Sequence, residues 1–404
     1  MNLVDKVLSR KPNPADFTQM MIRAFQKAGI PEVEQSGSDF SLKLEGGGTI
    51  FLSNIYSNYC HARRGARQSV VSEFVAAAVS IAKEPAIPTD FALVKQSLMP
   101  TIRDAANFGL MQLMNRKDGK SDAGLDALTK PLAEGLVVEL AYDTERNITS
   151  INRNMLEPWG VSADEAFKTA RENLWEKTNP NRLAGQGGVY RGEWADAYDS
   201  SRILLTELIY RLSVDGDPVA FVPNRDQFWV TGTDNQAGLG AILKGGAESH
   251  FKQGHPISPD LYRLVDGAWK VYVPEDATLR ELSLSIKRGR AEIDYSQQQK
   301  VLNEVHEKEE IDVFVSSYKV YELNGTTYSA CVWPIDVDSS LPRAEKIAFL
   351  LDEHGKDAFM VPWKAATSVV GDLLEEEAGL TPVRYRARVF PSAERIGKLR
   401  QLAG

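Results

Sequence analysis

The sequence predicts an α+β fold with antiparallel and mixed sheets, helices packed on them, and two or three lobes. Three observations lead there. Strands and helices are interspersed without the strict strand–helix–strand alternation of a doubly wound parallel sheet. Hairpin turn signals recur, at Gly46-Gly47-Gly48, Asp266-Gly267 and Asn324-Gly325. A segment also occurs twice, 204–232 and 343–371, with Leu212/Leu351, Gly216/Gly355, Val222/Val361, Pro223/Pro362, Val230/Val369 and Gly232/Gly371 in register. An internal duplication is expected, each copy reading as helix, glycine turn, strand ending in Val-Pro, and second strand.

The elements follow in order. Asn13-Pro14 reads as an N-cap and first helical residue, followed by an apolar stripe of Phe17, Met21, Ala24, Phe25 and Ala28. Phe40, Leu42 and Leu44 alternate, as do Ile50 and Leu52, around the glycine triplet. Helices are expected over about 54–62 and 68–83. The polar run 114–126 is the linker, giving lobes at 1–114, 127–255 and 256–404. Strand 137–142 comes next. Ser162-x-x-Glu165 is a capping box opening a helix with a face of Ala166, Phe167, Ala170 and Leu174. A short helix is expected over 236–243, ending at Gly245-Gly246. A hairpin turns at Asp266-Gly267. A helix over 296–309 leads to a strand over 311–323, a type I′ turn at Asn324-Gly325, and a return over 328–332. A strand over 383–390 and a helix from Ser392 end the chain.

Composition narrows the class. The chain has 404 residues, 43% hydrophobic and 25% charged, with a net charge of −8. That is a globular balance too long for one ordinary core. The acidic surplus disfavours general nucleic-acid binding. Cys60 and Cys331 are the two cysteines in the chain, which points to a reducing compartment. Residues 1–16 lack the apolar core of a signal peptide, and no stretch is apolar enough to span a membrane. A cytoplasmic location is expected.

Three pieces lie close together: Met155-Leu156-Glu157-Pro158-Trp159-Gly160-Val161-Ser162, Ala170-Arg171-Glu172-Asn173-Leu174, and Pro218-Val219-Ala220-Phe221-Val222-Pro223-Asn224-Arg225-Asp226. In order and spacing they resemble the YtpQ-like family of bacterial proteins, a domain of unknown function. The 40–82 region is similar to that family's N-terminal part, so the resemblance covers roughly residues 10–275. It implies a bacterial cytosolic protein and implies no reaction.

Candidate sites are few. Arg225-Asp226 follows Val222-Pro223 at the tip between two strands and is a candidate binding pair. The plainer reading is a turn whose aspartate bonds its own backbone. Glu193, Asp196 and Asp199 surround Trp194 and Tyr198. With Arg225 they form the candidate catalytic set of a hydrolase or nuclease-like enzyme, against the plainer reading of helix-start acids. Arg384, Arg386 and Arg388 alternate along a strand and present one arginine face suited to a carboxylate or phosphate. Glu375, Glu376 and Glu377 stand ready to neutralise it. His61, Arg63, Arg64 and Arg67 form a second basic cluster. Gly185-Gln186-Gly187-Gly188 lacks the Gly-Lys-Ser/Thr ending of a phosphate loop and reads as a loop. The five histidines lack metal-ligand spacing, Cys60 and His61 diverge on a helix, and no Gly-x-Ser-x-Gly elbow occurs. No metal and no cofactor are expected. The reading is a non-catalytic protein that binds a macromolecular partner, a protein by its charge, with the enzyme as the alternative.

Overall fold

A computed structural model describes residues 12–35, 40–44, 49–81, 87–119, 127–144, 147–323, 326–352 and 354–403. The fold is α+β. The chain forms two compact units, each assembled from two stretches: residues 1–102 with 138–258, and residues 103–137 with 259–404. The chain enters the second unit twice, once through the excursion 103–137 that contains the expected linker and again at Pro259. The helix Ala105–Lys117 takes in the first residues of that linker, and 120–126 lie outside the described residues.

The first unit begins with the helix Pro14–Lys27. Asn13 caps it by accepting the Asp16 N–H at 2.8 Å, leaving Phe17, Met21 and Phe25 on one buried face. The strands Val33–Gln35, Ser41–Leu44 and Thr49–Phe51 form an antiparallel sheet, with Leu42 opposite Ile50. The Gly46-Gly47-Gly48 turn lies outside the described residues. Helices Ser53–His61 and Arg67–Ile81 add Ile55, Val71 and Val75 to the same core.

Further along this unit, Ser162 caps the helix Ala163–Lys177, whose buried residues are Ala166, Phe167, Ala170 and Leu174. Four antiparallel strands then follow the spatial order Pro218–Phe221, Trp229–Gly232, Val189–Gly192, Leu183–Gln186. Gln186 stands opposite Val189, so Gly187 and Gly188 are a two-residue hairpin turn. Both have positive φ, 60° and 72°, as a type I′ turn requires. The glycine run is therefore a turn and not a phosphate cradle.

The helix Gln236–Lys252 packs on this sheet. Gly245-Gly246 does not end it. A Cβ at Gly246 would stand 2.1 Å from the Phe221 ring, so glycine is what lets helix and sheet approach.

The second unit is organised by the helix Ala277–Lys308, 32 residues long and capped by Asp276. It starts well before residue 296, where Ser283, Arg288 and Arg290 on its buried side interrupt the apolar stripe. Helix 105–117 packs on it, Leu113 meeting Val301, Leu302 and Val305.

A hairpin joins Leu261–Val265 to Ala268–Tyr272 through Asp266 and Gly267, with φ of 51° and 77°. A mixed sheet runs in the order Lys319–Leu323, Thr326–Pro334, Lys346–Leu350, Ala358–Pro362; its middle pair is parallel. Leu323 faces Thr326 in that ladder; Asn324 and Gly325 lie outside the described residues. The core under this sheet holds Cys331, Trp333, Ile347, Phe349 and Val361. The expected strand 311–323 is two pieces, Phe314–Val315 and Lys319–Leu323, belonging to different sheets.

The two repeat segments share the strand that leads into Val-Pro and differ on either side of it. Segment 204–232 contains a helical turn, Thr206–Ile209, then strands Pro218–Phe221 and Trp229–Gly232. Segment 343–371 contains strands Lys346–Leu350 and Ala358–Pro362, then the helix Trp363–Val370. At the start of the alignment the second copy has a strand where the first has a helical turn, and at its end a helix where the first has a strand. The coincident glycines also do different work. A Cβ at Gly232 would stand 1.9 Å from the Asp215 carbonyl oxygen, whereas one at Gly371 would meet Thr367 at 3.8 Å. The structure does not confirm an internal duplication.

No helix among the described residues is long and apolar enough to cross a membrane.

Two outcomes follow from this packing. Gly232→Ala should destabilise by roughly 1–3 kcal/mol, because backbone must move to admit the methyl group. Gly371→Ala should hold or raise stability by up to about 1 kcal/mol, since Gly371 is already helical, with φ −60° and ψ −28°. Denaturant unfolding of both variants checks this; equal effects would contradict the non-equivalence.

The second outcome concerns the buried side of helix 277–308. Arg290 donates to Asp104 at 2.6 Å and to Asp294 at 2.9 Å. One guanidinium serves two carboxyls. Burial, opposed by Arg290 and reinforced by the Asp104 charge, pushes Asp294 up to about 7. The folded protein therefore holds this proton more tightly than the unfolded chain does. Its contribution to stability is fully present below the ordinary value of 3.8 and is lost as pH rises toward about 7. Asp294→Asn should flatten the stability profile across that window. An unchanged profile would show that Asp294 titrates normally.

Candidate functional site

The enzyme alternative requires the carboxylate set to converge with Arg225. Instead it closes on itself. Arg202, with no exposed surface, donates to both oxygens of Asp196 at 2.7 and 2.6 Å and to the Thr178 hydroxyl at 3.2 Å. Its guanidinium lies over the Trp194 ring at 4.3 Å. Asp199 accepts the backbone N–H groups of Trp194 and Ala195 at 3.1 and 3.0 Å. That holds a tight loop in which Ala195 and Ala197 take positive φ, 55° and 67°.

Burial pushes both carboxyls up. At Asp196 the opposing Arg202 wins and the net shift is downward. At Asp199 burial wins and the shift is upward. Glu193 is exposed. Asp196 and Asp199 are thus committed to a structural knot, and Glu193, Asp196 and Asp199 are not among the residues lining the cleft that holds Arg225. Arg202, which organises the knot, carries no sequence signal beyond lying six residues from Asp196.

The arginine face is a second correction. Arg384 is fully buried. It donates to the Gln298 side chain at 2.6 Å and to the carbonyls of Ser316, Ser340 and Tyr295 at 3.0, 3.1 and 3.5 Å. Burial lowers it to about 10, opposed by Tyr295 and Glu377. Arg386 grips both oxygens of Asp338 at 2.6 and 2.9 Å. Arg388 pairs with Glu375 at the exposed end. The strand Arg384–Ala387 lies between Ser339–Pro342 and Glu375–Glu376, so its arginines hold a sheet together.

What remains is a cleft of about 640 Å³ in the first unit, the size of an ordinary ligand site. Arg225 and Asp226 line it. The pair is bonded to itself, Arg225 Nε and Nη2 donating to the Asp226 carboxylate at 2.9 and 3.3 Å. The two side chains keep 28% and 45% exposure. Their turn is built from below. Asn224 accepts the Asp226 N–H at 3.0 Å, and the Arg225 N–H donates to the His255 carbonyl at 3.1 Å. Asn224 also donates to Ser249 and Gln253 at 2.6 and 3.1 Å, tying the turn to the end of helix 236–252.

One wall comes from helix 53–61, through Asn58 and His61. His61 Nδ1 donates to the Ser57 carbonyl, 2.8 Å away. The opposite wall is the last turns of helix 236–252, carrying Glu248 and Lys252, paired at 3.0 Å.

The floor is Trp229. Its indole N–H donates to Gln227 at 2.9 Å, and Arg191 stands over its ring at 5.0 Å. Arg191, Gln227 and Trp229 carried no expectation in the sequence; Trp229 in the apolar strand after Arg225-Asp226 was the signal that could have found them. Among the described residues, no group of three or more His, Cys, Asp or Glu side chains is placed to hold a metal ion.

Compared with protein-family models, with curated proteins and with solved structures, the chain finds no match.

The two fates of the arginines predict different stabilities. Arg384→Ala should cost roughly 3–5 kcal/mol, because it strips a buried network of its donor. Arg388→Ala should leave the melting temperature unchanged. Thermal unfolding separates them, and equal tolerance would restore the exposed-face reading.

Proposed function

We propose that this protein acts without catalysis, as a binding protein, and that the Arg225–Trp229 cleft receives a segment of a partner protein. The observation that carries the reading is the separation of the charged groups. Arg225 and Asp226 line an open cleft, while Asp196 and Asp199, which a hydrolytic reading needs beside them, are spent on Arg202 and on the 194–195 backbone outside that cleft. The cleft combines an aromatic floor with polar walls, the mix that protein recognition uses. The likeness to the YtpQ-like family adds no reaction to this reading. A reducing, cytoplasmic setting belongs to the proposal too, supported by the free thiols of Cys60 and Cys331.

Arg225→Ala with Asp226→Ala tests it. The pair is partly exposed and bonded to itself, so stability should stay within about 1 kcal/mol. Capture of partners from an extract of the source cell should fall sharply. A folded double variant that captures the same partners would refute the cleft reading.

A further inference from the structure

The cross-strand register builds a graded row across the floor of the cleft. Phe221 stands opposite Trp229, and Trp229 opposite Arg191. Residues directly opposite in an antiparallel ladder share a face of the sheet. Helix 236–252 covers the first of them: the Phe221 ring lies against Gly246 and is fully buried. Gly245 faces the rim of the Trp229 indole, where a Cβ would stand 3.7 Å away, and leaves that ring half-buried. Arg191, third in the row, is exposed. A buried phenyl, a half-covered indole and an open guanidinium therefore line up toward the cleft.

Charge bookkeeping singles out Arg191. Three permanent cations line the cleft: Arg191, Arg225 and Lys252. Arg225 is held by Asp226 and Lys252 by Glu248. No described carboxylate pairs with Arg191. Stacking on Trp229, itself fixed by Gln227, orients the guanidinium while leaving its edge N–H groups available. Such an edge matches the two oxygens of a carboxylate.

We infer that the cleft takes an acidic peptide segment, with Arg191 as the residue that grips a partner carboxylate. The inference rests on the docking reading above and names the chemistry of its partner. A phosphate-bearing partner fits less well. The wall beside Arg191 is the C-terminal half of helix 236–252, where the helix dipole is negative, and Glu248 and Asp226 add their charges. A singly charged carboxylate tolerates that surrounding better than a phosphodiester chain or a dianionic phosphate does. Those same two acids, with the Asn58 amide, offer partners for peptide N–H and carbonyl groups.

The experiment is selection from a randomised octapeptide display library by the full-length protein, followed by fluorescence anisotropy on the selected peptides. Peptides enriched in Asp and Glu are expected. Arg191→Glu should weaken them by roughly ten- to a hundredfold, the worth of one charge-assisted pair. Selection by that variant should shift toward Lys and Arg. Arg191→Lys, which keeps the charge and loses the planar edge, should retain part of the affinity.

The inference is overturned if no peptide is selected, if the selected peptides carry no acidic excess, or if Arg191→Glu binds them unchanged. It is also overturned if single-stranded oligothymidylate or phosphoserine peptides bind through Arg191 in preference to acidic ones. Selected peptides that lack acidic residues yet lose binding in the Arg225, Asp226 double variant would sink the acidic class and leave the docking reading intact. Selected peptides that ignore both sites would remove the docking reading as well.

Discussion

A guanidinium has five N–H donors and cannot shed its charge, so burying one obliges the chain to bring acceptors to it. Arg202, Arg288, Arg290 and Arg384 are each less than a tenth exposed, and the polar architecture is arranged around them. Arg202 gathers Asp196, Thr178 and Trp194 into the knot of the first unit. In the second unit Arg288 joins helix 277–308 to Thr327 and Glu345, at 2.8 Å each. Arg290 fastens the same helix to Asp104, the residue that caps helix 105–117. Arg384 collects three carbonyls and Gln298. These demands absorb the charges that, counted along the sequence, resemble functional clusters.

The cleft is defined by what this constraint leaves over. Arg191 and Lys252 are exposed and Arg225 is partly so, and two of the three are neutralised by neighbours that can exchange partners at little cost, as surface pairs do. Its aromatic floor is held from beneath by a sheet register and by close helix packing through Gly246. Rigid support under an exposed polar rim is the arrangement in which binding orders few additional groups. In the knot at 193–202, by contrast, Arg202 and Asp199 already hold their partners.

Local signals were legible in the sequence and long-range ones were not. The caps at Asn13 and Ser162 and the Asp266-Gly267 turn depend on neighbours within four residues, and the structure has them. The sheet-and-helix class follows from such pieces. The start of helix 277–308 was hidden because Arg288 and Arg290 on its buried side answer acceptors far away in sequence. The glycines at 245 and 246 read as a stop signal because their real partners, Trp229 and Phe221, lie on strands some twenty residues earlier. Alternation put Arg384 and Arg386 on one strand, which ends at Ala387 and leaves Arg388 outside it, and could not say that Gln298 and Asp338 would meet those arginines. At the candidate site, Arg225-Asp226 was visible as a turn after Val-Pro. Arg191 became visible only once the ladder set it opposite Trp229.

The central claim is that the cleft, and neither the 193–202 knot nor the 384–388 strand, meets the partner. Amide hydrogen exchange of the protein alone and with its captured partner measures this directly. Protection should appear in 53–61, 225–229 and 245–255, the segments that form the cleft walls and rim. Protection confined to 193–202 or to 384–388, with the cleft segments exchanging as before, would contradict the account.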